Sequence, residues 1–244
     1  MLRLQKLLKR SLREDRGLTL VELLVAITIF GILLTLVASL YSGALRTVGL
    51  SRELVGNTKN VSTAMNETSR VIRAATENPV GAQVLNDPAF VVAEPDDVVV
   101  YAYINLDSSA EKPVMIRLRV DKTTGNFVES RWPATPLADG KWQFTANPCE
   151  TVNVPGGCTA PASIRIIASA ISPYTSGDYT FTYLDSNGQA MANTSAGLAL
   201  ADRRLVAFVR VTLKTQFSLT DASNPVTLQN TVGIPNLGFA KDSQ

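Results

Sequence analysis

The sequence contains no histidine among its 244 residues. Histidine is the commonest general base of enzymes and the commonest transition-metal ligand, so its absence excludes Ser-His-Asp and Cys-His catalysis. Paired carboxylates or a Ser-Lys pair stay formally possible, but no spacing in the sequence points to either. We therefore predict a protein that is not an enzyme and that holds no cofactor or metal.

The chain also lacks an excess of charge of one sign. Its 23 basic and 21 acidic residues leave a net charge of +2, which gives no reason to expect direct binding to nucleic acid. The distribution of the charges is more informative, because residues 1–16 are strongly basic and contain only two acidic side chains, Glu14 and Asp15. The basic residues of this segment are Arg3, Lys6, Lys9, Arg10, Arg13 and Arg16.

Cysteine is scarce, with Cys149 and Cys158 enclosing a short stretch rich in glycine and proline. Nothing near them completes a metal site, so a local disulfide is expected if this part of the chain is exported. Closing so short a loop would stabilise the fold by roughly 2 to 3 kcal/mol in the chain-entropy model. Two buried free thiols are the alternative, and a cytosolic domain would favour them.

A long apolar run extends over residues 18–45, and Glu22 is its only charged residue. About 20 such residues in a helix span the hydrocarbon layer of a membrane. The basic segment before the run should stay in the cytoplasm, which places the rest of the chain on the outer face. An ordinary signal peptide would have a shorter apolar core, and cleavage near Ser42 to Leu45 is the alternative that it implies.

Beyond the apolar run, helical periodicity continues in a more polar sequence. One apolar stripe recurs at helical spacing, and it comprises Leu50, Leu54, Val61, Met65, Thr68, Ile72 and Ala75. The helix should therefore continue, with a weak point of small residues around Gly43 to Gly56, until Asn78-Pro79 stops it. Its amphipathic second half requires a surface on which to pack.

After Pro79 the sequence changes to short β-like runs separated by turns. In Val114 to Val120, apolar residues alternate with Met115, Arg117 and Arg119, which predicts a strand with one buried and one mostly solvated face. A Lys-Thr-Thr-Gly-Asn hairpin signal follows. Further strands are expected at 98–104, 127–132, 164–169, 179–184, 205–213 and 226–232. The predicted fold class is α+β, with one long N-terminal helix serving as the spine of an antiparallel sheet domain.

The junction between the basic segment and the apolar helix reads Arg16-Gly-Leu-Thr-Leu-Val-Glu22. It resembles the processing site of type IV prepilins, in which a membrane-embedded peptidase cuts after the glycine and the new N-terminal residue is N-methylated. The resemblance implies cleavage between Gly17 and Leu18 and methylation of Leu18. It divides the chain into a leader (1–17), a transmembrane and filament-core helix (18–45), an amphipathic extension (46–78) and an exported β-rich head (79–244).

Glu22 is a carboxylate in an otherwise apolar segment. Such a group costs about 2.5 to 3.5 kcal/mol near the centre of a membrane helix, less toward its edge, and it normally persists because it finds a partner. The free amine at Leu18 of a neighbouring subunit would be such a partner, and this pairing would set the axial register of packed helices. The alternative is an interfacial glutamate that extends to the membrane surface.

The sequence departs from the commonest prepilins in its leucine after the cleavage site, in an apolar helix without proline, and in its length. In its size and its small disulfide loop the sequence resembles minor pilins or pseudopilins, in particular the PilW or J-type pseudopilin group. The implied partners are prepilin peptidase, other pilin or pseudopilin subunits, the inner-membrane assembly platform and, before assembly, membrane lipid. A single-pass anchored binding protein that does not polymerise is the alternative function.

Three smaller features each leave two interpretations open. The acidic turn at Glu94, Asp96 and Asp97 and the turn at 185–188 resemble fragments of calcium sites, but neither supplies a full ligand set, so ordinary turns are expected. Trp132 and Trp142 flank a loop that contains proline and could form a surface for a partner, although buried packing is expected.

Overall fold

The computed structural model describes residues 19–79, 86–104, 112–138, 141–149, 157–172, 179–192, 194–215 and 226–235. By its internal packing the chain forms two compact units, Met1–Arg52 and Glu53–Gln244. In the described residues the first unit is helical, and the second contains all the strands. Gly17 and Leu18 lie outside the described residues.

A single helix, α1 (Leu20–Arg73), runs for 54 residues and belongs to both units. It is unbroken across residues 43–56, where the sequence predicted a weak point. It ends before Asn78-Pro79, the stop that we had expected, because the chain turns to join a sheet. Ala75 forms a bridge with Ala102, and the Thr76 N–H donates to the carbonyl of Tyr101 at 2.9 Å.

All strand pairings in the described residues are antiparallel apart from one isolated bridge. A five-stranded sheet has the order β1-β2-β3-β4-β7, a three-stranded sheet the order β10-β9-β8, and β5 pairs with β6. The strands are β1 Phe90–Ala93, β2 Asp97–Ala102, β3 Val114–Val120, β4 Phe127–Pro133, β5 Thr135–Pro136, β6 Trp142–Gln143, β7 Ser163–Ala168, β8 Phe181–Leu184, β9 Phe208–Thr215 and β10 Val226–Gly233, with a short helix α2 at Leu200–Arg203. The α+β layout predicted from the sequence is confirmed.

The main core lies between the sheets and the C-terminal part of α1, all within the second unit. The helix contributes Val61, Ala64, Met65, Val71 and Ile72, each buried, and the sheets contribute a larger set of apolar side chains. The predicted stripe is therefore buried from Val61 onward, as its spacing requires. The prediction is wrong for the first two residues of the stripe, because Leu50 and Leu54 are exposed.

The sequence predicted that Met115, Arg117 and Arg119 form a mostly solvated face of β3, and this prediction is wrong for the first two. Met115 is fully buried and Arg117 is 8% exposed. Met115 packs in a second apolar cluster with Val99, Tyr101 and Trp132, and Phe144 covers part of this cluster with its ring centroid 4.5 Å from that of Tyr101. The chain that follows β6 therefore covers one end of the outer face of the sheet, which a strand pattern alone does not reveal.

Arg117 is buried with its charge paired. Its guanidinium donates to Asp97 on the neighbouring strand β2, with Nε 2.9 Å from each carboxylate oxygen. Asp96 lies 2.8 Å from the Lys122 ammonium. Two of the three acidic residues at this turn are thus engaged by cations, which favours the structural interpretation of the turn over a calcium site.

A cluster of five charged side chains joins α1 to the five-stranded sheet: Glu67, Arg70, Glu129, Arg131 and Arg165. Glu129 is fully buried, and its carboxylate accepts hydrogen bonds from Arg131 at 2.5 Å and from Arg165 at 2.7 Å. Glu67 on the helix accepts from Arg70 and also contacts Arg165. The Arg70 hydrogen bond, aided by the charge of Arg165, lowers the pKa of Glu67 to about 2.

Candidate functional site

The start of α1 is built from four residues of the motif predicted to carry function. The carboxylate oxygen Oε2 of Glu22 accepts hydrogen bonds from the backbone N–H and the hydroxyl of Thr19, each at 3.0 Å. The Glu22 N–H donates back to the Thr19 hydroxyl at 3.3 Å. This reciprocal arrangement is a capping box, which satisfies N–H groups that the first turn of a helix leaves free.

Sequence reasoning missed the role of Thr19. The signal was present, because Thr-Leu-Val-Glu has the spacing of a capping box, with a hydroxyl residue followed three positions later by a glutamate. The two residues therefore fix where the helix begins. Glu22 also carries its negative charge in the first turn, where the positive end of the helix dipole stabilises it.

Between Leu20 and Leu50 the side chains of α1 are exposed all round the helix. Large apolar residues dominate this surface, for example Leu20 at 79% and Phe30 at 62% exposure. By length and composition the helix can cross a membrane, although a signal sequence near an N-terminus meets the same criterion. An apolar surface of this extent indicates an apolar environment of lipid or protein.

The serine and threonine hydroxyl groups in this stretch are satisfied within the helix. Each donates to a backbone carbonyl three or four residues earlier, at 2.7 to 3.1 Å, and they belong to Thr28, Thr35, Ser39, Ser42 and Thr47. In a hydrocarbon environment an unpaired donor costs several kcal/mol, of order 2 to 7 by transfer data. The serine and threonine side chains therefore add no unpaired donor to this surface, as a membrane-spanning helix requires.

The predicted site residues are distributed over both units. Glu22 lies in the first turn of α1, while Gly17 and Leu18, the predicted cleavage residues, fall outside the described part of the chain. The predicted disulfide is present and joins Cys149 to Cys158 in the second unit. Trp132 is buried, and its indole N–H donates to the carbonyl of Thr159 at 2.8 Å.

Neither calcium alternative gains support from the described residues. The Asp185 carboxylate accepts from the N–H groups of Asn187 and Gln189, both at 2.9 Å, which is the bonding of an ordinary turn. Among the residues that the structure describes, no group of three or more acidic, cysteine or histidine side chains is arranged to hold a metal ion.

Comparison with known families gives a match that falls on this site. The family model of the prokaryotic N-terminal methylation motif matches residues 12–38, which include the end of the basic N-terminal segment, the Gly17-Leu18 junction and Glu22. No curated protein matches the chain. The match covers the motif alone and leaves the sheet unit unassigned. The motif of prepilin-type proteins, a long apolar helix and an antiparallel sheet packed on its C-terminal part together support a type IV pilin-like protein.

Proposed function

We propose that the protein is a structural subunit of a type IV pilus or of a type II secretion-like filament, and that it assembles through α1. The observation that carries the proposal is the methylation motif placed at the start of an exposed apolar helix. In this proposal prepilin peptidase cuts between Gly17 and Leu18 on the cytoplasmic side, and Leu18 is N-methylated. The second unit then lies outside the cytoplasmic membrane, and the filament lies in the periplasm or at the cell surface.

The capping box gives Glu22 a second role that is compatible with assembly. The hydrogen bonds from Thr19 both reach Oε2, and no described residue donates to Oε1. Glu22 can therefore keep its own helix start intact while Oε1 accepts from the Leu18 amine of an adjacent subunit. A charge-assisted hydrogen bond of this kind is roughly twice as strong as one between neutral groups.

Within this class we propose a minor pilin or pseudopilin. The sequence continues for 227 residues after Gly17 (244 minus 17), which is already long for a major subunit. The proposed partners are prepilin peptidase, other pilin or pseudopilin subunits and the inner-membrane assembly platform, with membrane lipid around α1 before assembly. The alternative remains a single-pass anchored binding protein that never polymerises.

Two substitutions separate these functions. Gly17→Val should leave an uncleaved precursor, because a branched side chain blocks the approach of the peptidase to the backbone.

Glu22→Gln should spare membrane insertion and cleavage but reduce incorporation into filaments tenfold or more. Removing one partner of a buried ion pair costs about 3 to 5 kcal/mol, and even half of that is more than tenfold in an equilibrium.

The measurement is the mass of the mature N-terminus, together with the amount of protein in membrane and sheared-filament fractions. Glu53→Gln is the matched control, because Glu53 is an exposed glutamate of the same helix outside the apolar run. A wild-type protein that keeps residues 1–17 would favour the anchored alternative, and one that begins near Ser42 to Leu45 would contradict both. Equal incorporation of Glu22→Gln and wild type would refute the assembly role of Glu22.

A further inference from the structure

A groove of about 590 Å³ lies in the second unit where β4, the β5-β6 hairpin and the chain before β7 meet. Its polar side chains are the hydroxyls of Thr135, Thr145 and Thr159 and the amide of Gln143. Apolar groups complete the lining, with Phe144 the most prominent. We call these five residues and their surroundings the hydroxyl groove. Its volume falls in the range of small-molecule sites, roughly 300 to 1,000 Å³.

Bonds across the hydroxyl groove hold its walls in place. The Thr145 and Thr159 hydroxyls lie 2.6 Å apart, and the Thr159 carbonyl accepts from the Cys149 N–H at 2.9 Å and from the Trp132 indole at 2.8 Å. The Cys149–Cys158 disulfide fixes the same wall. Phe144 is held by its contact with Tyr101. A preorganised site of this kind loses little conformational entropy on binding.

The chemistry of the lining selects the class of ligand. None of the described residues that line the groove carries a charge. A charged ligand would give up hydration there without a counter-charge, which is costly. The side-chain hydroxyls and the amide offer both donors and acceptors, while the aromatic and methyl groups suit an apolar ring face.

From this arrangement we propose that the hydroxyl groove binds a neutral saccharide, whose rings carry hydroxyl groups at their edges and C–H groups on their faces. An extended peptide is recognised chiefly through main-chain hydrogen bonds along a strand edge, whereas the polar groups of this groove that carry the proposal belong to side chains. The proposal concerns the second unit alone. It does not depend on cleavage, methylation or filament assembly.

The test uses the full chain in phospholipid nanodiscs, since a detergent with a sugar head group would compete. Calorimetric titration with chitotriose, cellotriose and maltotriose should give a millimolar or tighter Kd for at least one. Thr135→Val and Gln143→Ala should each weaken that binding about fivefold, as expected for the loss of one hydrogen bond. Thr227→Val is the matched control, because Thr227 is an exposed threonine on β10, outside the groove.

Near-UV circular dichroism of each variant establishes that the fold is retained. The proposal is overturned if none of the three saccharides binds at millimolar concentration, or if Thr227→Val weakens binding as much as Thr135→Val. Equal or tighter binding of the acidic sialyllactose would contradict the neutral character of the site. Binding of an uncharged serine-rich peptide in place of the saccharides would assign the groove to a different partner.

Discussion

The two ends of α1 differ in which side chains are buried, although they form one continuous helix. From Leu20 to Leu50 the side chains are exposed on every face, and the segment shows no polar side. From Val61 to Ile72 one face is buried against the sheets, and the positions that remain at least partly exposed are all polar. A helix that is apolar all round needs an apolar environment, whereas an amphipathic helix needs only one partner. The part of α1 from Leu20 to Leu50 therefore needs an apolar environment that the described residues of its own chain do not supply.

The largest effect should come from the buried end of this comparison, at Glu129. Glu129→Ala removes the fully buried carboxylate that Arg131 and Arg165 share and leaves Glu67 of α1 as their remaining acidic partner. The lost carboxylate accepts charge-assisted hydrogen bonds from both guanidinium groups, each worth about 1.5 to 3 kcal/mol, so together they amount to about 3 to 6 kcal/mol. The free energy of unfolding of the second unit, measured by denaturant titration with near-UV circular dichroism, should fall by that order. Glu53→Ala, on the exposed part of the helix, should change it by less than about 0.5 kcal/mol. Similar losses in the two variants would show that the cluster adds little.

The next largest effect belongs to the apolar end. Leu33→Arg places a charge in the middle of the expected membrane span and should cost about 2.5 to 3.5 kcal/mol of insertion free energy, roughly a hundredfold in the partition. Leu50→Arg is the matched control, because Leu50 is exposed on the same helix to a similar extent but lies beyond the apolar run. The readout is the fraction of protein that resists alkaline extraction from membranes. If both variants partition alike, the span has been placed wrongly.

Removal of the disulfide should have an intermediate effect that is confined to the second unit. The Cys149→Ala and Cys158→Ala double variant should unfold with about 2 to 3 kcal/mol less stability, as the chain-entropy model gives for so short a loop. Reductant should destabilise the wild type by a similar amount and leave the double variant unchanged. Membrane partition should not respond to either treatment. A wild type that is insensitive to reductant would contradict the expected stabilisation.

The smallest effect is expected at the helix start. Thr19→Val removes the hydroxyl of the capping box and should destabilise the first turn by about 1 kcal/mol. Amide hydrogen exchange of Glu22 and Leu23, whose N–H groups bond to Thr19, should accelerate about fivefold. Thr47→Val removes a hydroxyl bonded to a carbonyl within the helix and should leave these amides unaffected. Unchanged exchange in Thr19→Val would mean that Glu22 alone holds the turn.

The strands that could be predicted from the sequence are those in which one face of the strand packs on the core and so leaves an alternating pattern of apolar residues. Val114 to Val120 and the strands at 127–132 and 226–232 were found because alternation reports directly on a pleated surface. The four-residue β1 was missed, since so short a run carries little pattern and its pairing with β2 contains a register shift. The alternation of apolar residues therefore indicated where the longer strands lie, but it did not reveal the short strand β1 at the edge of the five-stranded sheet.

Features that join distant parts of the chain were beyond sequence reasoning. The cover over Met115 depends on Phe144, which lies far along the chain, and the pairing of Glu67 with Arg165 joins a helix to a strand. The early end of α1 has the same origin, because Ala75 pairs with Ala102 of β2. At the candidate site the reverse holds: the motif from Gly17 to Glu22 is local and could be found directly, and only the capping role of Thr19 was overlooked.

The internally bonded hydroxyls of α1 have a consequence for how this segment would change surroundings. A lipid tail is about as apolar as a leucine side chain, so an apolar helix gains little hydrophobic free energy by exchanging one for the other. Because Thr28, Thr35 and Ser39 already donate within their own helix, such an exchange breaks no hydrogen bond and requires no new acceptor. The segment would then be nearly indifferent to whether lipid or another helix surrounds it, and the choice would fall to the few groups that are not indifferent, foremost the carboxylate of Glu22.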